Sequence, residues 1–300
     1  MKTNYDPKIT PWQVQEQDFP RERSSAEKLE FLLRYAILAP SGHNSQPWKF
    51  SVGKDEIQVL ADETRWLRVG DPDQVNLHIA IGCTLENLLI AAEHFGYDHQ
   101  VTYFNRKTYE ERPIPKNDLR RIQNCCVEEG IRLHVISDLD TKRDVNELLI
   151  RGHATMIADP DFRRENAYWL GQGLFNIPRL LTRLVQWVMP YLKVHKSVFV
   201  MMDTRLVMSA PALVVLSAGV NDRMSQVRVG QVFERVCLTA TMLGLCVHPL
   251  SGVVDVPELK AQVSKLLPSS DEVSQHVFRL GYAEPVKSFA QRRPLGDVLV

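Results

Sequence analysis

The sequence predicts an α+β fold in which two related halves are joined in one chain. Helical and strand-like apolar patterns alternate along the 300 residues. The apolar run Ala212 to Ser217 is typical of a strand buried on both faces. Two long helical segments, 148 residues apart, also share a spacing of small and acidic residues, which is the observation that suggests two halves.

Composition excludes several classes of protein. With 44% hydrophobic residues and zero formal net charge, the chain is typical of an ordinary soluble protein with one large or two medium domains. No basic block predicts a nucleic-acid partner. Met1 to Thr10 lacks the apolar core of a signal peptide, and Asp203 and Arg205 interrupt the longest apolar run, so we expect no membrane span. Five cysteines without C-x-x-C spacing favour reduced thiols and a cytoplasmic location.

In the first half, Ser24 and Glu27 have the spacing of a capping box, which predicts the start of a helix. The predicted elements are a helix from Ser24 to Leu38, strands at Lys49 to Val52 and Ile57 to Leu60, and a long helix opened by Asp73 or Asn76 and ending at Gly96. One face of the long helix is predicted to hold Ile81, Leu85, Leu88, Leu89, Ala92 and Phe95.

The second half begins with a helix that a glycine is predicted to close. Its predicted helices are Asn117 to Glu129, Thr141 to Leu170, Leu174 to Tyr191, Ser225 to Leu243 and Pro257 to Leu267. Its predicted strands are Arg132 to Ser137, Ala212 to Ser217 and Val277 to Tyr282.

An offset of 148 residues aligns the two long core helices. It places Gly82, Glu86, Ala92 and Gly96 on Gly230, Glu234, Ala240 and Gly244. Two unrelated amphipathic helices could share four identities by chance, and the alternative is a duplication with one core helix from each copy. On that hypothesis the chain is a single pseudo-dimeric domain, with a first half of about 1–104 and a second half of about 105–300.

The segment Pro40-Ser41-Gly42-His43-Asn44-Ser45-Gln46-Pro47-Trp48 carries the most information in the chain. Pro40 and Pro47 fix φ and donate no N–H, so the backbone between them cannot join a helix or a ladder. Its amides and the side chains of Ser41, Asn44 and Gln46 are then available to a polar, planar ligand. The same composition also fits a turn-rich connection with no function.

With Ala39, this segment resembles the signature loop of the FMN-dependent nitroreductase family, A-P-S-x-x-N-x-Q-P-W, at every fixed position. Gly82 to Leu88 resembles the family's core-helix motif, G-x-x-x-E-N-L. The resemblance implies a nitroreductase-like fold, with a central, mostly antiparallel sheet flanked by helices. Because family members are usually homodimers with flavin at the interface, it also implies a fused-repeat branch, either a monomer acting as a pseudo-dimer or a dimer of fused chains.

The resemblance also implies which residues bind the cofactor. The turn Pro249 to Gly252, found in the second half only, resembles the family turn that presents a backbone N–H to flavin N5, so we expect one flavin site per chain. Two basic stretches resemble phosphate-binding segments, although Thr102 and Phe104 replace family residues in the first; a solvated strand end and an exposed tail are the alternatives. The implied FMN-binding residues are Pro40, Ser41, Gly42, Asn44, Gln46, Arg106, Lys107, Ser251, Gly252, Arg292 and Arg293.

The activity implied is transfer of hydride from NADH or NADPH through FMN to a nitroaromatic, a quinone or a similar small-molecule acceptor. No catalytic side chain and no metal are expected, since the cofactor carries the chemistry. The alternative is a flavin-binding protein that stores or sequesters FMN with little turnover. The apolar segment Leu174 to Met202 could be extra core, a partner surface or a lid.

Overall fold

The structure is a computed structural model, and it describes residues 10–53, 56–95, 109, 112–170, 186–188, 191, 204–269, 271–284 and 292–300. Arg106, Lys107 and nearly all of the segment from Leu174 to Met202 lie outside these residues, as does the predicted boundary between the halves. The α+β class is confirmed by the helices and antiparallel strands of the described part.

Most of the described helices and strands were predicted, but the strand Cys246–Pro249 was not, and the strand Val273–Gly281 begins before its predicted start at Val277. The predicted helix from Leu174 to Tyr191 lies almost wholly outside the described residues. The helices are α1 (Ser25–Ala36), α2 (Val75–His94), α3 (Lys116–Gln123), α4 (Leu139–Ala158), α5 (Pro160–Trp169), α6 (Arg223–Met242) and α7 (Pro257–Lys265). The strands are β1 (Trp48–Val52), β2 (Ile57–Ala61), β3 (Ile131–Ile136), β4 (Ala212–Ala218), β5 (Cys246–Pro249) and β6 (Val273–Gly281).

The main sheet has the strand order β3-β4-β6-β5, and each neighbouring pair is antiparallel. Every residue of β4 is buried, which confirms the prediction of a strand covered on both faces. One face of the sheet supports α6, and the other packs against residues of α4 and α7. The core therefore lies in two layers, one on each side of β4 and β6.

A second, smaller sheet joins the two ends of the chain. β1 and β2 form the predicted antiparallel hairpin. Phe50 donates its N–H to the carbonyl oxygen of Val298 at 2.8 Å, and Val300 donates to the carbonyl oxygen of Phe50 at 2.8 Å, so the last residues run parallel to β1. This pairing holds residues 292–300 beside the loop that precedes β1.

The two long helices, α2 and α6, cross at a pair of glycines. A Cβ added to Gly82 would lie 2.0 Å from the carbonyl oxygen of Val227, and a Cβ added to Gly230 would lie 2.1 Å from that of Ile79. The Cα atoms of the opposite glycines are 2.8 Å from these added Cβ positions. Only glycine permits backbones to approach so closely, so both positions are fixed by packing rather than by helix propensity.

An ion network lies farther along the same crossing. Arg235 on α6 bonds both Glu86 on α2 and Glu128, and it donates to the carbonyl oxygen of Cys125 at 2.8 Å. The predicted helix Asn117 to Glu129 was wrong at its end, because α3 stops at Gln123. The residues after it turn, and their carbonyl and carboxylate groups face Arg235 instead of continuing the helix.

The start and the buried face of α2 also differ from the prediction. Its N-cap is Gln74, in a left-handed conformation with φ of 59°, rather than Asp73 or Asn76. Leu89 is 43% exposed, although it was predicted to face the core. The reason is that α2 is enclosed by α1 and α6 on different sides, so its buried residues do not follow a single stripe.

The predicted helix from Thr141 to Leu170 is two helices, α4 and α5. The side chain of Asp159 caps the second by accepting from the N–H of Asp161, and Pro160 occupies its first position. Proline fits the first turn of a helix but would interrupt a longer one, so the Asp-Pro pair separates the two.

By length and composition alone, α2 could also cross a membrane. However, 67% of its most apolar window is buried inside the protein. That degree of burial is typical of the core helix of a soluble fold, so the helix gives only weak support to a membrane span.

Replacing Gly82 by Ala is expected to lower the free energy of unfolding by about 3 kcal/mol or more, because the new methyl group meets backbone that cannot move alone. Gly230→Ala should have a similar effect, since its contacts are reciprocal. Gly219→Ala is the control, as its added Cβ has nothing within 4 Å. Urea unfolding of the three variants measures the effect; equal stability of Gly82→Ala and Gly219→Ala would contradict the close crossing.

Candidate functional site

The loop from Ser41 to Trp48 connects α1 to β1 in a strained backbone conformation. His43, Asn44 and Gln46 have φ of 49°, 50° and 51°, in the left-handed region that residues other than glycine rarely adopt. Such residues cost on the order of 1–3 kcal/mol each, with Asn at the lower end. The hydroxyl of Ser41 accepts from the N–H of Gln46 at 2.9 Å. Interactions with other parts of the chain must offset the rest of the free-energy cost of these left-handed residues.

The C-terminal tail provides the first of these interactions. The guanidinium of Arg292 donates to Asn44 Oδ1 at 2.9 Å and to the carbonyl oxygen of Leu38 at 2.9 Å. It also lies over the indole ring of Trp12, 4.5 Å from the ring centroid. Arg292 is only 6% exposed. The structure therefore brings Arg292 and Asn44 together, with the guanidinium turned into the protein.

Arg293 binds the next part of the loop. Its backbone N–H donates to Gln46 Oε1 at 2.7 Å, and its guanidinium donates to the Gln46 carbonyl oxygen at 3.0 Å. The same guanidinium lies 3.5 Å from the carboxylate of Asp62, which is buried. Both arginines predicted in the tail therefore donate hydrogen bonds directly to residues of the loop.

The turn predicted to face flavin N5 is covered by α4. Residues Ser251–Val253 form a short 3-10 helix, and Gly252 is buried. A Cβ added to Gly152 of α4 would lie 2.1 Å from the Gly252 carbonyl oxygen, and one added to Gly252 would lie 2.7 Å from the His153 ring. Two glycines therefore allow α4 to lie directly on this turn.

The beginning of α2 connects the loop with the turn. Asn76 donates from Nδ2 to Asp255 Oδ1 at 2.7 Å, and Asp255 donates its N–H to the carbonyl oxygen of Ser251. A Cβ added to Gly42 would lie 3.9 Å from the Cβ of Asn76. The predicted site residues of the two halves thus approach each other through α2, although they are far apart in sequence.

A buried carboxylate fixes this end of α2. Asp71 accepts from the N–H groups of Asn76 at 3.0 Å and Leu77 at 2.9 Å, which otherwise have no partner within the helix. Burial raises the pKa of Asp71 to about 6, and these backbone hydrogen bonds offset only part of the effect. Asp71 was not predicted as a site residue, because the sequence alone does not place it beside Gly42.

Helix α5 packs on the outside of the loop. Glu165 accepts from the N–H groups of Gly70 at 2.8 Å and Val69 at 3.2 Å. Arg65 donates to the Ser45 carbonyl oxygen and lies 5.3 Å from the ring centroid of Trp169 on α5. The loop is therefore held between the tail and the α4–α5 pair.

In chemistry, the loop and tail suit the FMN that the resemblance implies: guanidinium groups for a phosphate, and amide and hydroxyl groups for a ring and its polar chain. Space is a different matter. The cavity lined by Gly42, Ser45, Pro47, Asp71 and Asn76, among others, has a volume of about 10 Å³. That is enough for about one water molecule, whereas cofactor sites typically enclose roughly 300–1,000 Å³. The donor set fits FMN, whereas this cavity among the described residues is small.

The chain is similar in sequence to a protein that is named as a nitroreductase. No family model matches the chain. It is 22% identical, over 301 aligned positions, to a protein found in two strains of Mycobacterium tuberculosis that carries the provisional name NAD(P)H nitroreductase. The alignment covers 86% of this chain and 86% of that protein. The chain is therefore similar to this protein over most of its length.

Solved nitroreductases are also found among structural neighbours. A Bacteroides fragilis nitroreductase with bound FMN gives a TM-score of 0.38 at 15% identity, covering 64% of this chain and 89% of its own. An FMN-dependent nitroreductase of Mycobacterium smegmatis in complex with NADPH gives 0.39 at 16% identity, covering 70% and 93%. Scores this low do not carry an inference about the geometry of the site.

Helix α6 carries a buried acid that was noted in the sequence only as a repeat position. Glu234 is 3% exposed, and its Oε2 has no hydrogen-bond partner among the described residues. Burial raises its pKa to about 8, while a hydrogen bond with Asn87 and the charge of Arg292 partly oppose the rise. An acidic residue in the middle of an otherwise buried helix was the signal that could have identified it.

The pKa of Glu234 is higher in the folded than in the unfolded state. Its favourable contribution to the free energy of unfolding is therefore complete below about pH 4.5 and is lost as pH rises through 8. In Glu234→Gln that loss is absent. Between pH 6 and 8, the unfolding free energy of the variant should therefore improve by about 2 kcal/mol relative to the wild type. Urea unfolding at several pH values measures this; the exposed Glu129→Gln is the control and should follow the wild type. Parallel curves for wild type and Glu234→Gln would contradict the prediction.

Proposed function

We propose that the chain is an FMN-dependent oxidoreductase that moves hydride from NADH or NADPH through FMN to a nitroaromatic, a quinone or a similar small-molecule acceptor. The name of the M. tuberculosis relatives supports the reaction class. The observation that carries the proposal is the meeting of the signature loop with the C-terminal tail, where Arg292 donates to Asn44 at 2.9 Å. The start of α2, beside the loop, bonds the other predicted segment where Asn76 donates to Asp255 at 2.7 Å.

The chain's residues have to bind and orient the cofactor. Pro40, Ser41, Gly42, Asn44 and Gln46 would line the ring and its ribityl chain, and the turn at Ser251 and Gly252 would offer a backbone N–H. The resemblance offers Arg106, Lys107, Arg292 and Arg293 for the phosphate, and the last two are already bonded to the loop. When bound, FMN supplies the hydride-accepting chemistry, so no acid–base side chain is required of the protein.

We further propose one site in a pseudo-dimer. The reciprocal contacts at the helix crossing support a duplication: Gly82 faces Val227 and Gly230 faces Ile79, and each pair is related by the same offset of 148 residues. Arg235 binds Glu86, and Asn87 bonds Glu234, again with that offset. The halves would be about 1–104 and 105–300, and the signature loop occurs only in the first.

The proposed context is a cytoplasmic protein without a nucleic-acid or membrane partner. Its cysteines are free within the described residues, which fits a reducing compartment. The chain would act as a monomeric pseudo-dimer or as a dimer of two fused chains.

A second candidate is a protein that stores or sequesters FMN. The cavity of about 10 Å³ beside the loop favours it, as does the direct contact of α4 with the turn at Gly252. An enclosed site would exchange its ligand slowly, and slow exchange suits storage better than turnover.

Purified full-length protein is expected to carry yellow flavin at about one per chain, or to bind added FMN at that ratio. Reduction by NADH or NADPH should bleach the flavin absorbance, and a nitrofuran or a quinone should restore it in repeated cycles. Flavin that is bound but does not turn over would support storage instead. Protein that is purified without flavin and does not bind added FMN would contradict both functions.

A further inference from the structure

We propose that Arg292 and Arg293 are positioning residues, which hold the loop from Ser41 to Trp48 in its left-handed conformation instead of binding the FMN phosphate. The inference concerns the same site as the proposed FMN-dependent function and rests on it for the ligand. It changes the role that the resemblance to nitroreductases implies for these two residues.

The contacts of Arg292 support this role. Its two terminal nitrogens each donate to a different acceptor of the first half, Asn44 Oδ1 and the Leu38 carbonyl oxygen, both at 2.9 Å. Leu38 lies just after α1, and Asn44 lies in the middle of the loop. The planar guanidinium of Arg292 bonds both residues and so fixes the distance between them. The guanidinium is buried, and the Trp12 ring lies against it.

Arg293 complements this arrangement on the other side of the loop. Its N–H and its guanidinium bind the side-chain and the main-chain oxygen of Gln46, at 2.7 and 3.0 Å. The guanidinium also donates to the carbonyl oxygen of Asp297 at 2.7 Å. The tail itself is fastened to β1 through Val298 and Val300, so Arg293 connects the loop to a fixed strand.

The arginine contacts coincide with the strained residues. Asn44 and Gln46 have φ of 50° and 51°, and both are bonded by the tail. Strain of this kind persists only where the surroundings hold it. A phosphate ligand would compete with the loop for the orientation of these guanidinium groups, because each planar group is already fixed by two acceptors of the protein. The geometry therefore assigns these donors to the loop.

Lysine distinguishes the two roles. Its ammonium keeps the positive charge that a phosphate requires, but it cannot span two separated acceptors as the planar guanidinium does. If Arg292 binds phosphate, Arg292→Lys should retain most of the FMN affinity. If Arg292 positions the loop, Arg292→Lys should resemble Arg292→Ala.

The first experiment compares FMN with riboflavin, which lacks the phosphate, by fluorescence titration of wild type, Arg292→Lys, Arg292→Ala and Arg293→Ala. We expect each variant to weaken both ligands by the same factor, about tenfold or more, so that the ratio of their dissociation constants stays within about twofold of wild type. A loss confined to FMN in Arg292→Ala, with affinity kept in Arg292→Lys, would overturn the inference.

The second experiment requires no flavin and so separates failure of the inference from failure of the proposed function. Amide hydrogen exchange of the ligand-free protein is followed in peptides that cover Gly42 to Gln46. Arg292→Lys and Arg293→Ala should accelerate exchange there about tenfold, and Asn44→Ala should give the same effect without adding to that of Arg292→Lys. Arg143→Ala, which removes an exposed arginine on α4, is the control.

Unchanged exchange in the loop of Arg292→Lys and Arg293→Ala would overturn the inference whether or not the protein binds flavin. Should Arg292→Ala fail to fold, Arg292→Lys carries both experiments, because it keeps the charge and most of the side-chain volume. Thermal unfolding of each variant identifies those that remain folded. If wild type binds neither FMN nor riboflavin, the proposed function fails, and the exchange experiment still decides the role of the arginines.

Discussion

The architecture depends on the close crossing of α2 and α6 at Gly82 and Gly230. Because the two backbones touch there, the beginning of α2 reaches Asp255 after the turn at Gly252, and β4 and β6 can pack under α6. A larger residue at either glycine would push α2 away from α6 within the layer of the core that both helices share. The candidate site is therefore a consequence of backbone contact far from the loop itself.

Among the described residues, backbone strain is concentrated in the loop from Ser41 to Trp48, with one further residue at Gln74. His43, Asn44 and Gln46 are left-handed, and groups from the tail bind two of them. Asp71, whose pKa is raised by burial, accepts hydrogen bonds from the first turn of α2, and Glu234, whose pKa is raised to about 8, lies on α6. Strained backbone and buried acids both lower stability, and such features are expected at functional sites more than elsewhere.

Local signals in the sequence predicted much of the fold. The capping box of Ser24 and Glu27, the β1–β2 hairpin and the buried strand β4 are each determined by neighbouring residues, and all three were confirmed. The features that were missed depend on tertiary contacts. Arg235 bonds the residues that follow α3, where the predicted helix stops early. Two neighbouring helices bury residues on more than one side of α2, so these residues form no single stripe. The loop and the tail arginines were recognisable as a pair of motifs, but no sequence pattern states that they bond each other. Glu234 was missed as a buried acid for the same reason, since its burial comes from the fold.

Two neighbouring side-chain pairs beside the helix crossing differ in charge, although the same offset of 148 residues relates them. In one pair, Arg235 binds Glu86 and is also bonded by Glu128, so its donors are used within a compact ion network. In the other pair, the position equivalent to Arg235 is Asn87, which bonds Glu234 without a charge of its own, and the charge of Arg292 acts on Glu234 from the tail. If the two long helices derive from a duplication, their side chains have therefore diverged where the backbones still match. Such asymmetry is what we expect of a chain with one proposed site instead of two.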